Sequence, residues 1–517
     1  MSCYKGKLRI AYFLSVANDY VGGADNTLFM QAVLMNACHE VTIVLPCNAD
    51  GKHNTLFQKK CKTFGLDYVV LEYSTANSMK IINMVDYRND VDGIVRFIEE
   101  KQIDILHSVQ INVAVEYVSR KSGIPHIMNI YSLDAWEWTI PRADIFPRYV
   151  SSDSAFFLEK WKAYVNCGGS CVRVFDEMKT KKKSFCADNV TVVGTSGTIC
   201  EYKNQMEIIR AVKIEKKRGR KIRLLLAGDA GSAYAEKCRS CAEAYGICND
   251  VEFMGFIEDM TLFFEQIDVL ICGSRRESFP ASVVEALSCN IPVISTPVAG
   301  IPEILVNGQN AYLSGGYLAE DLAEALEDYF KDCEDNHLER VLSDEKETYR
   351  KFFSAGAVTR QLDALYQSVL EKPGTAADLG SWKEIEDEIG KMLKKLEKKW
   401  EETDDAEDVL RIHSRLLYLY RMREKITGNE CYIWGAGKWG KLTRFMIESL
   451  MSHITVKAFV DEKGKQGTGG PAVIKKEEMD LREDTMVFIA FTQNQEEAVR
   501  YLEDRNRKMM KNVFIIA

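Results

Sequence analysis

Short apolar runs alternate with amphipathic stretches along most of the chain. Residues 8–15 (LRIAYFLS) are apolar apart from Arg9 and the closing Ser15, which predicts a strand covered on both faces. A glycine-containing loop is expected at 18–26, a helix at 27–38 and the next strand at 41–45. Further strands are expected at 67–71, 103–107 and 126–130. Strands separated by helical patterns predict a doubly wound parallel sheet, placed in a first domain at residues 1–180.

The alternation then repeats. Strands are expected at 190–193, 222–227, 251–253, 269–272 and 292–295, which gives a second domain at 181–351. Two such units in tandem leave a cleft between them, a preferred location for small-molecule sites. Residues 352–372 are expected to cross back onto the first domain. Residues 373–380 form a linker by composition. Trp382, Ile385, Ile389, Met392, Leu393, Leu396 and Trp400 recur at helical spacing, and a second helical run covers 409–425. The helical linker at 373–428 is either a packed hairpin or, through the 382–400 helix, a contact between copies of the chain.

The last stretch, 429–517, is a small third α/β unit. A strand at 431–434 leads into Gly435-Ala-Gly437-Lys-Trp-Gly440, a G-x-G-x-x-G turn, and then a helix at 441–451. The strand at 456–460 ends at Asp461, where a ribose-binding acid would stand. With strands at 486–490 and 513–516 this makes about four strands, half of a dinucleotide fold. The turn suits NAD, a nucleotide or a nucleotide sugar, or serves architecture alone. The fold class is therefore α/β: two tandem Rossmann-like domains facing a cleft, a helical linker and a small third Rossmann-like domain.

Composition narrows the function classes. A net charge of −9 over 517 residues argues against wholesale nucleic-acid binding. The chain shows neither a secretory leader at its start nor an apolar run of about 18 residues. The fifteen cysteines are scattered, and Cys238-Arg-Ser-Cys241 has no second pair at zinc-site spacing, which fits thiols in a reducing cytoplasm. The Lys179–Lys183 cluster suits either a solvated linker or contact with anionic headgroups at the inner face of a membrane.

The densest chemistry lies at Glu277-Ser-Phe-Pro-Ala-Ser-Val-Val-Glu285. The first glutamate follows a buried strand, where open parallel sheets bind ligands, and the second lies on the next helix. With Ser274 before it and the Pro292-Val-Ile strand after it, this block resembles the E-x7-E region of retaining family 4 glycosyltransferases, which have the GT-B fold. The resemblance covers residues 5–370. It implies transfer of a sugar from a nucleotide-sugar donor to a glycan or lipid-linked acceptor, with retention of configuration. No cofactor or divalent metal is implied.

The resemblance also assigns residues. Gly22, Gly23 and Asp25 match a Gly-Gly-Ala-Glu loop, with aspartate for glutamate, and would lie against the donor diphosphate. Lys203 would neutralise that diphosphate. The family's arginine five residues earlier is absent, since Thr198 stands there; Arg275 or Arg276 are candidates to replace it. Gly228 and Phe256 would flank the nucleotide. The backbone of Ser278, Phe279, Pro280 and Ala281 would hold phosphate or sugar oxygens. Glu285 would hold the ribose and Glu277 the transferred sugar. Ile301-Pro-Glu303 matches the end of the donor motif, and Glu303 reads equally as a surface carboxylate. The family's histidine in the first domain is replaced by Tyr131, a hydrogen-bond donor and a weak base near neutral pH. His126 reads as a structural residue, and His107 as a packed or site-lining histidine. Three other readings remain open: a silent nucleotide-sugar binder or scaffold, an NAD-dependent enzyme centred on Gly435, Gly437, Gly440 and Asp461, and an inverting GT-B enzyme or an epimerase of the same architecture.

Overall fold

The strands fall into three separate sheets, and every ladder between them is parallel. The computed structural model describes residues 6–48, 51–73, 84–109, 112–131, 149–159, 168–178, 190–371, 391, 419, 423, 426–461, 471–491, 495–507 and 512–516.

The first sheet holds β1 (Arg9–Phe13), β2 (Glu40–Cys47), β3 (Asp67–Glu72), β4 (Ile105–Val109), β5 (His126–Asn129), β6 (Tyr149–Ser152) and β7 (Gly168–Cys171). Their order is β3-β2-β1-β4-β5-β6-β7. Ile10, Ala11, Tyr12 and Phe13 are fully buried, so β1 is apolar throughout rather than alternating. The strands are connected in part by α1 (Gly23–Met35), α2 (Thr55–Phe64), α3 (Met84–Lys101) and α4 (Val113–Ser122). The sequence pattern missed β6 and β7, because Tyr-Val-Ser-Ser and Gly-Gly-Ser-Cys carry no apolar run. Gly169 is required there: a Cβ would stand 2.6 Å from the Val150 carbonyl oxygen.

One boundary moves with functional effect. Helix α1 starts at Gly23, not at residue 27, with Gly22 as its extended N-cap. The glycine pair is thus the helix N-terminus itself.

The second sheet has β8 (Thr191–Ser196), β9 (Ile222–Ala227), β10 (Val251–Gly255), β11 (Val269–Cys272), β12 (Val293–Ser295) and the unexpected two-residue β13 (Tyr312–Leu313), ordered β10-β9-β8-β11-β12-β13. Helices α5 (Gln205–Lys217), α6 (Ala233–Ala244), α7 (Thr261–Phe264), α8 (Ala281–Ser288), α9 (Ala319–Glu334) and α10 (Leu338–Phe352) accompany it. The next helix, α11 (Ala355–Leu370), returns to the first sheet. There Val358, Leu362, Leu365, Tyr366 and Val369 are buried with Ile10, Tyr12 and Ile43. Between the sheets, residues 172–178 thread both cores: Val172 and Phe175 belong to the first cluster and Val174 to the second.

The third sheet contains β14 (Glu430–Trp434), β15 (Thr455–Val460), β16 (Ala472–Ile474), β17 (Met486–Ile489) and β18 (Val513–Ile515), ordered β16-β15-β14-β17-β18. It has five strands rather than about four, the short edge strand β16 being the addition. Helices α12 (Lys438–Leu450) and α13 (Gln495–Glu503) pack with it. The Lys179–Lys183 cluster and the helices expected at 382–400 and 409–425 lie outside the described residues. Cys238 and Cys241 are free thiols, whereas Cys38 is disulfide-bonded, which departs from the expectation of thiols throughout. Among the described residues no helix is long and apolar enough to cross a membrane.

The glycine turn after β14 gives a test of packing. A Cβ on Gly440 would stand 1.8 Å from the Gly435 carbonyl oxygen, whereas one on Gly437 meets nothing within 4 Å. Gly440→Ala should therefore cost about 2 kcal/mol or more in chemical denaturation, and Gly437→Ala less than about 1 kcal/mol. Equal costs would contradict this packing.

Candidate active site

In the second sheet the strand order reverses between β8 and β11, so the loops after these adjacent strands part and leave a crevice. Lys203 ends the one-turn helix Glu201–Lys203 after β8. Glu277 lies in the loop after β11. The Lys203 ammonium donates to Glu277 Oε1, and Ser274 Oγ donates to the same oxygen at 3.0 Å. The paired side chains are 20% and 14% exposed. Gly197, close to the lysine, has φ +125, a backbone conformation that other residues rarely adopt. Burial alone would lower the ammonium's proton affinity, but the Glu277 carboxylate outweighs it and the net shift is upward.

Glu285, in the second turn of α8, faces the same lysine. Burial, and then the Asp176 carboxylate, push its pKa up to about 8 against the pull of Lys203. At neutral pH it is mostly the neutral acid, able to donate as well as accept a hydrogen bond. Pro280 caps α8 without a side-chain bond, and the N–H groups of Ala281 and Ser282 have no acceptor among the described residues. These are open donors at a helix N-terminus. The Phe279 ring points away from the crevice into the core, 5.1 Å from Phe353, and supports the loop from below. Gly228, at φ +156, brings the loop after β9 so close that a Cβ would stand 2.1 Å from the Gly197 oxygen. Phe256, just past β10, is 81% exposed. Of the two arginines beside Glu277, Arg275 directs Nε to Asn204 Oδ1 at 3.1 Å.

In the first sheet, Gly22 and Gly23 open α1 without a side-chain cap. Asp25 does not face outward. It is buried and accepts from the Ser15 N–H at 2.6 Å and from the Ser15 hydroxyl at 2.8 Å, so it fixes the loop after β1. Tyr131, just after β5, ends a buried relay. Asn129 Nδ2 donates to the Tyr131 oxygen at 2.6 Å and to Gln31 Oε1 at 2.8 Å. Asn129 Oδ1 lies 2.7 Å from His107 Nε2, which fixes the proton on that nitrogen. His107 Nδ1 then accepts from the Tyr366 hydroxyl at 2.9 Å, and Tyr366 contacts Tyr12. Burial pushes the His107 pKa down to about 3, so the ring is neutral. The Tyr131 hydroxyl has both Asn129 and Gln31 as side-chain hydrogen-bond partners. Burial and the nearby Asp153 carboxylate hold that hydroxyl well above its ordinary pKa.

A clasp between the two lobes went unseen in the sequence. Ser278 Oγ donates to Asp153 Oδ1 across the junction. Glu303 reaches back to the first lobe and accepts from Ser154 Oγ at 3.1 Å, from the N–H groups of Ala155 and Phe156 at 3.0 and 2.8 Å, and from Arg173 at 2.8 Å. A second guanidinium nitrogen of Arg173 donates to the Asp153 carbonyl at 2.6 Å. Glu303 is thus an interlobe strut. Its carboxyl is desolvated, but the backbone N–H groups and Arg173 together lower its pKa. No periodicity or spacing marks Asp153 or Arg173, and only the pairing of distant segments brings them to the site.

Gly435, Gly437, Gly440 and Asp461 sit on the third sheet, apart from the residues above. Asp461 accepts from the Ala436 N–H at 3.1 Å, which places the acid beside the turn. Among the described residues no group of three or more His, Cys, Asp or Glu is arranged to hold a metal ion.

Comparison with known proteins bears on the first two sheets. Residues 176–345 match the family described as glycosyl transferases group 1. The solved glycosyltransferase of Rickettsia africae superposes with a TM-score of 0.58 at 15% identity, over 71% of this chain and 100% of that one. HepE of Anabaena, in complex with UDP-glucose, gives 0.56 at 17% identity, over 70% and 100%. The fold is that of the GT-B glycosyltransferases. Among sequence relatives, the capsular polysaccharide biosynthesis glycosyltransferase CapM of Staphylococcus aureus is 24% identical over 201 residues, 38% of this chain and 51% of its own length. A D-inositol 3-phosphate glycosyltransferase of Corynebacterium aurimucosum is 24% identical over 185 residues, 35% and 43%. The chain spans about half, or less, of the length of these relatives. Within the GT-B fold, Lys203, Glu277 and Glu285 all lie inside the matched segment, whereas Tyr131 and the glycine pair lie outside it.

The clasp predicts a pH effect. Burial raises the Asp153 pKa to about 8, against the Ser278 hydrogen bond and Arg173. Between the unfolded value of about 4 and this value the folded chain binds more protons, so stability falls as pH rises through that window and levels off above it. Asp153→Asn removes the ionisation while keeping an oxygen for Ser278. From pH 5 to pH 8 the wild-type melting temperature should fall relative to that of the variant. A difference constant with pH would contradict the assignment.

Proposed function

We propose that the chain is a glycosyltransferase that moves a sugar from a nucleotide-sugar donor to a glycan or lipid-linked acceptor in polysaccharide biosynthesis, with retention of configuration. The observation that carries it is the Lys203–Glu277 pair beside Glu285, built from the two loops at the strand reversal of a segment that matches a glycosyltransferase family. HepE, of similar fold, is known in complex with UDP-glucose, which supports a nucleotide sugar here.

In this scheme the donor diphosphate lies between the Gly22–Gly23 helix N-terminus and Lys203, with the open N–H groups at the start of α8 supplying further positive potential. Glu285 holds the ribose and Glu277 the transferred sugar, with Gly228 and Phe256 flanking the nucleotide. The acceptor hydroxyl oxygen bonds to the anomeric carbon as the bond from that carbon to the phosphate oxygen breaks. The electron pair leaves with the diphosphate, and a phosphate oxygen takes the hydroxyl proton. Negative charge grows on the diphosphate, where a fixed cation and helix N-termini lower the barrier without a divalent metal. Tyr131 donates to the substrate on the first-lobe side. The chain works in the cytoplasm, in peripheral contact with the inner membrane face when the acceptor is lipid-linked. A second reading, a silent nucleotide-sugar binder, is favoured by Thr198, which leaves the second lobe one cation short.

A screen of UDP-, GDP- and ADP-sugars by thermal shift should find one that stabilises the protein, by about 2.7 kcal/mol at a hundredfold excess over Kd. With that donor, Glu277→Ala should lower the rate of nucleotide release about 10²- to 10³-fold. Equal background rates in wild type and variant would favour the silent binder, and stabilisation by none of the sugars would remove the proposal.

A further inference from the structure

Lys203 and Glu277 satisfy each other. The Lys203 ammonium donates to Glu277 Oε1 and reaches no other acceptor among the described residues. The Ser274 hydroxyl donates to the same oxygen at 3.0 Å, and Glu277 Oε2 receives no donor among the described residues. The two side chains come from neighbouring strands, Lys203 from the one-turn helix after β8 and Glu277 from the loop after β11, so their contact bridges the gap between those loops. The loops are also joined without it. The Arg275 N–H donates to the Tyr202 carbonyl at 2.7 Å, and Arg275 Nε donates to Asn204 Oδ1 at 3.1 Å. The ion pair can therefore open by side-chain rotation while the backbone of both loops stays in place.

A contact pair of opposite charges presents little net charge to a diphosphate, and Thr198 adds none. For a diphosphate to take the full charge of Lys203, Glu277 has to let go of it. A shielded carboxylate does not give up its cation unless other donors take over. Sugar hydroxyls are such donors, since a hydroxyl donates to a carboxylate. A nucleotide sugar brings both replacements in one molecule: phosphate oxygens for Lys203 and hydroxyls for Glu277. A nucleoside diphosphate brings only the first, so it competes with Glu277 for the lysine.

We propose that Glu277 is an internal counter-ion of Lys203, exchanged when the donor binds, and that this exchange makes the crevice select a diphosphate that carries a sugar over one that does not. The inference rests on the nucleotide-sugar function proposed above. After transfer the sugar has left the diphosphate, and Glu277 loses its hydroxyl partners. The carboxylate then competes for the lysine again, which weakens the hold on the diphosphate and promotes its release. Glu277 is in this respect a specificity-determining residue, which discriminates donor from product as well as holding the sugar.

The test is calorimetric binding of UDP, GDP and ADP, each compared with its nucleoside, to wild type and Glu277→Gln. Glutamine keeps the shape of the side chain and removes its charge. Glu277→Gln should bind the diphosphate that wild type prefers about tenfold more tightly, with the nucleoside unchanged. Equal or weaker diphosphate binding in the variant overturns the counter-ion role while the donor function stands. An equal change for nucleoside and diphosphate shows a structural effect and also overturns it. The nucleotide sugar that the thermal-shift screen selects should bind wild type about tenfold more tightly than its own diphosphate does, and Glu277→Gln should erase that margin. A margin of the same size in the variant overturns the selection. If Glu277→Gln does not fold, a crystal structure of wild type with the preferred diphosphate supplies the second measurement. Lys203 Nζ should then lie on phosphate oxygens and out of hydrogen-bond range of Glu277, and a bound diphosphate beside an intact Lys203–Glu277 pair overturns the exchange. Failure of the wild type to bind any of the three diphosphates or any nucleotide sugar defeats the donor function itself, and this inference with it.

Discussion

A carboxylate held away from water needs a charged partner, and at the rim of the second lobe Lys203 supplies it to Glu277. The pair is largely shielded, so removal of either member leaves an uncompensated charge at a cost of about 3 kcal/mol or more. That cost keeps the two loops at the strand reversal in one arrangement. Around it the other features follow. Gly197 supplies a positive φ beside the lysine, Ser274 donates to the same glutamate oxygen, and Phe279 and Phe353 anchor the loop from below. A buried ion pair stabilises a fold poorly by comparison with apolar packing, which points to chemistry as the reason for its presence.

The lobes are not independent platforms. Ser278, beside Glu277, bonds to Asp153, and Glu303 is held by a helix N-terminus and by Arg173 from the first lobe. The Glu277 loop is therefore tied to the opposite lobe through its own residues. Any opening of the cleft must break these bonds, and any ligand that bridges the lobes must work with them. Among the described residues the chain passes between the lobes at the 172–178 segment and at the start of α11.

The fold class was legible because both large sheets are parallel and covered on both faces, which writes continuous apolar runs such as those of β1, β9 and β11 into the sequence. Other strands wrote no such run: β6 and β7 are rich in small or polar residues, β13 and β16 are only two and three residues long, and all four were missed. The start of α1 was displaced because Gly22 and Gly23 read as loop, although glycine at a helix N-cap is common. At the candidate site, the spacing of Glu277 and Glu285 drew attention to residues that the structure gathers around Lys203. What each side chain touches was less legible. Asp25 turns inward to Ser15, Ser278 turns to the other lobe, and Phe279 is core. Asp153 and Arg173 carry no motif at all, since their meaning comes from contacts between segments more than a hundred residues apart.

A structure determined with a nucleotide sugar bound to the chain tests the central claim most directly. The account places the diphosphate between the Gly22–Gly23 helix start and Lys203, the ribose against Glu285 and the sugar hydroxyls at Glu277. A nucleotide sugar seated only at the Gly435 turn of the third sheet, with the crevice beside Lys203 empty, would contradict it.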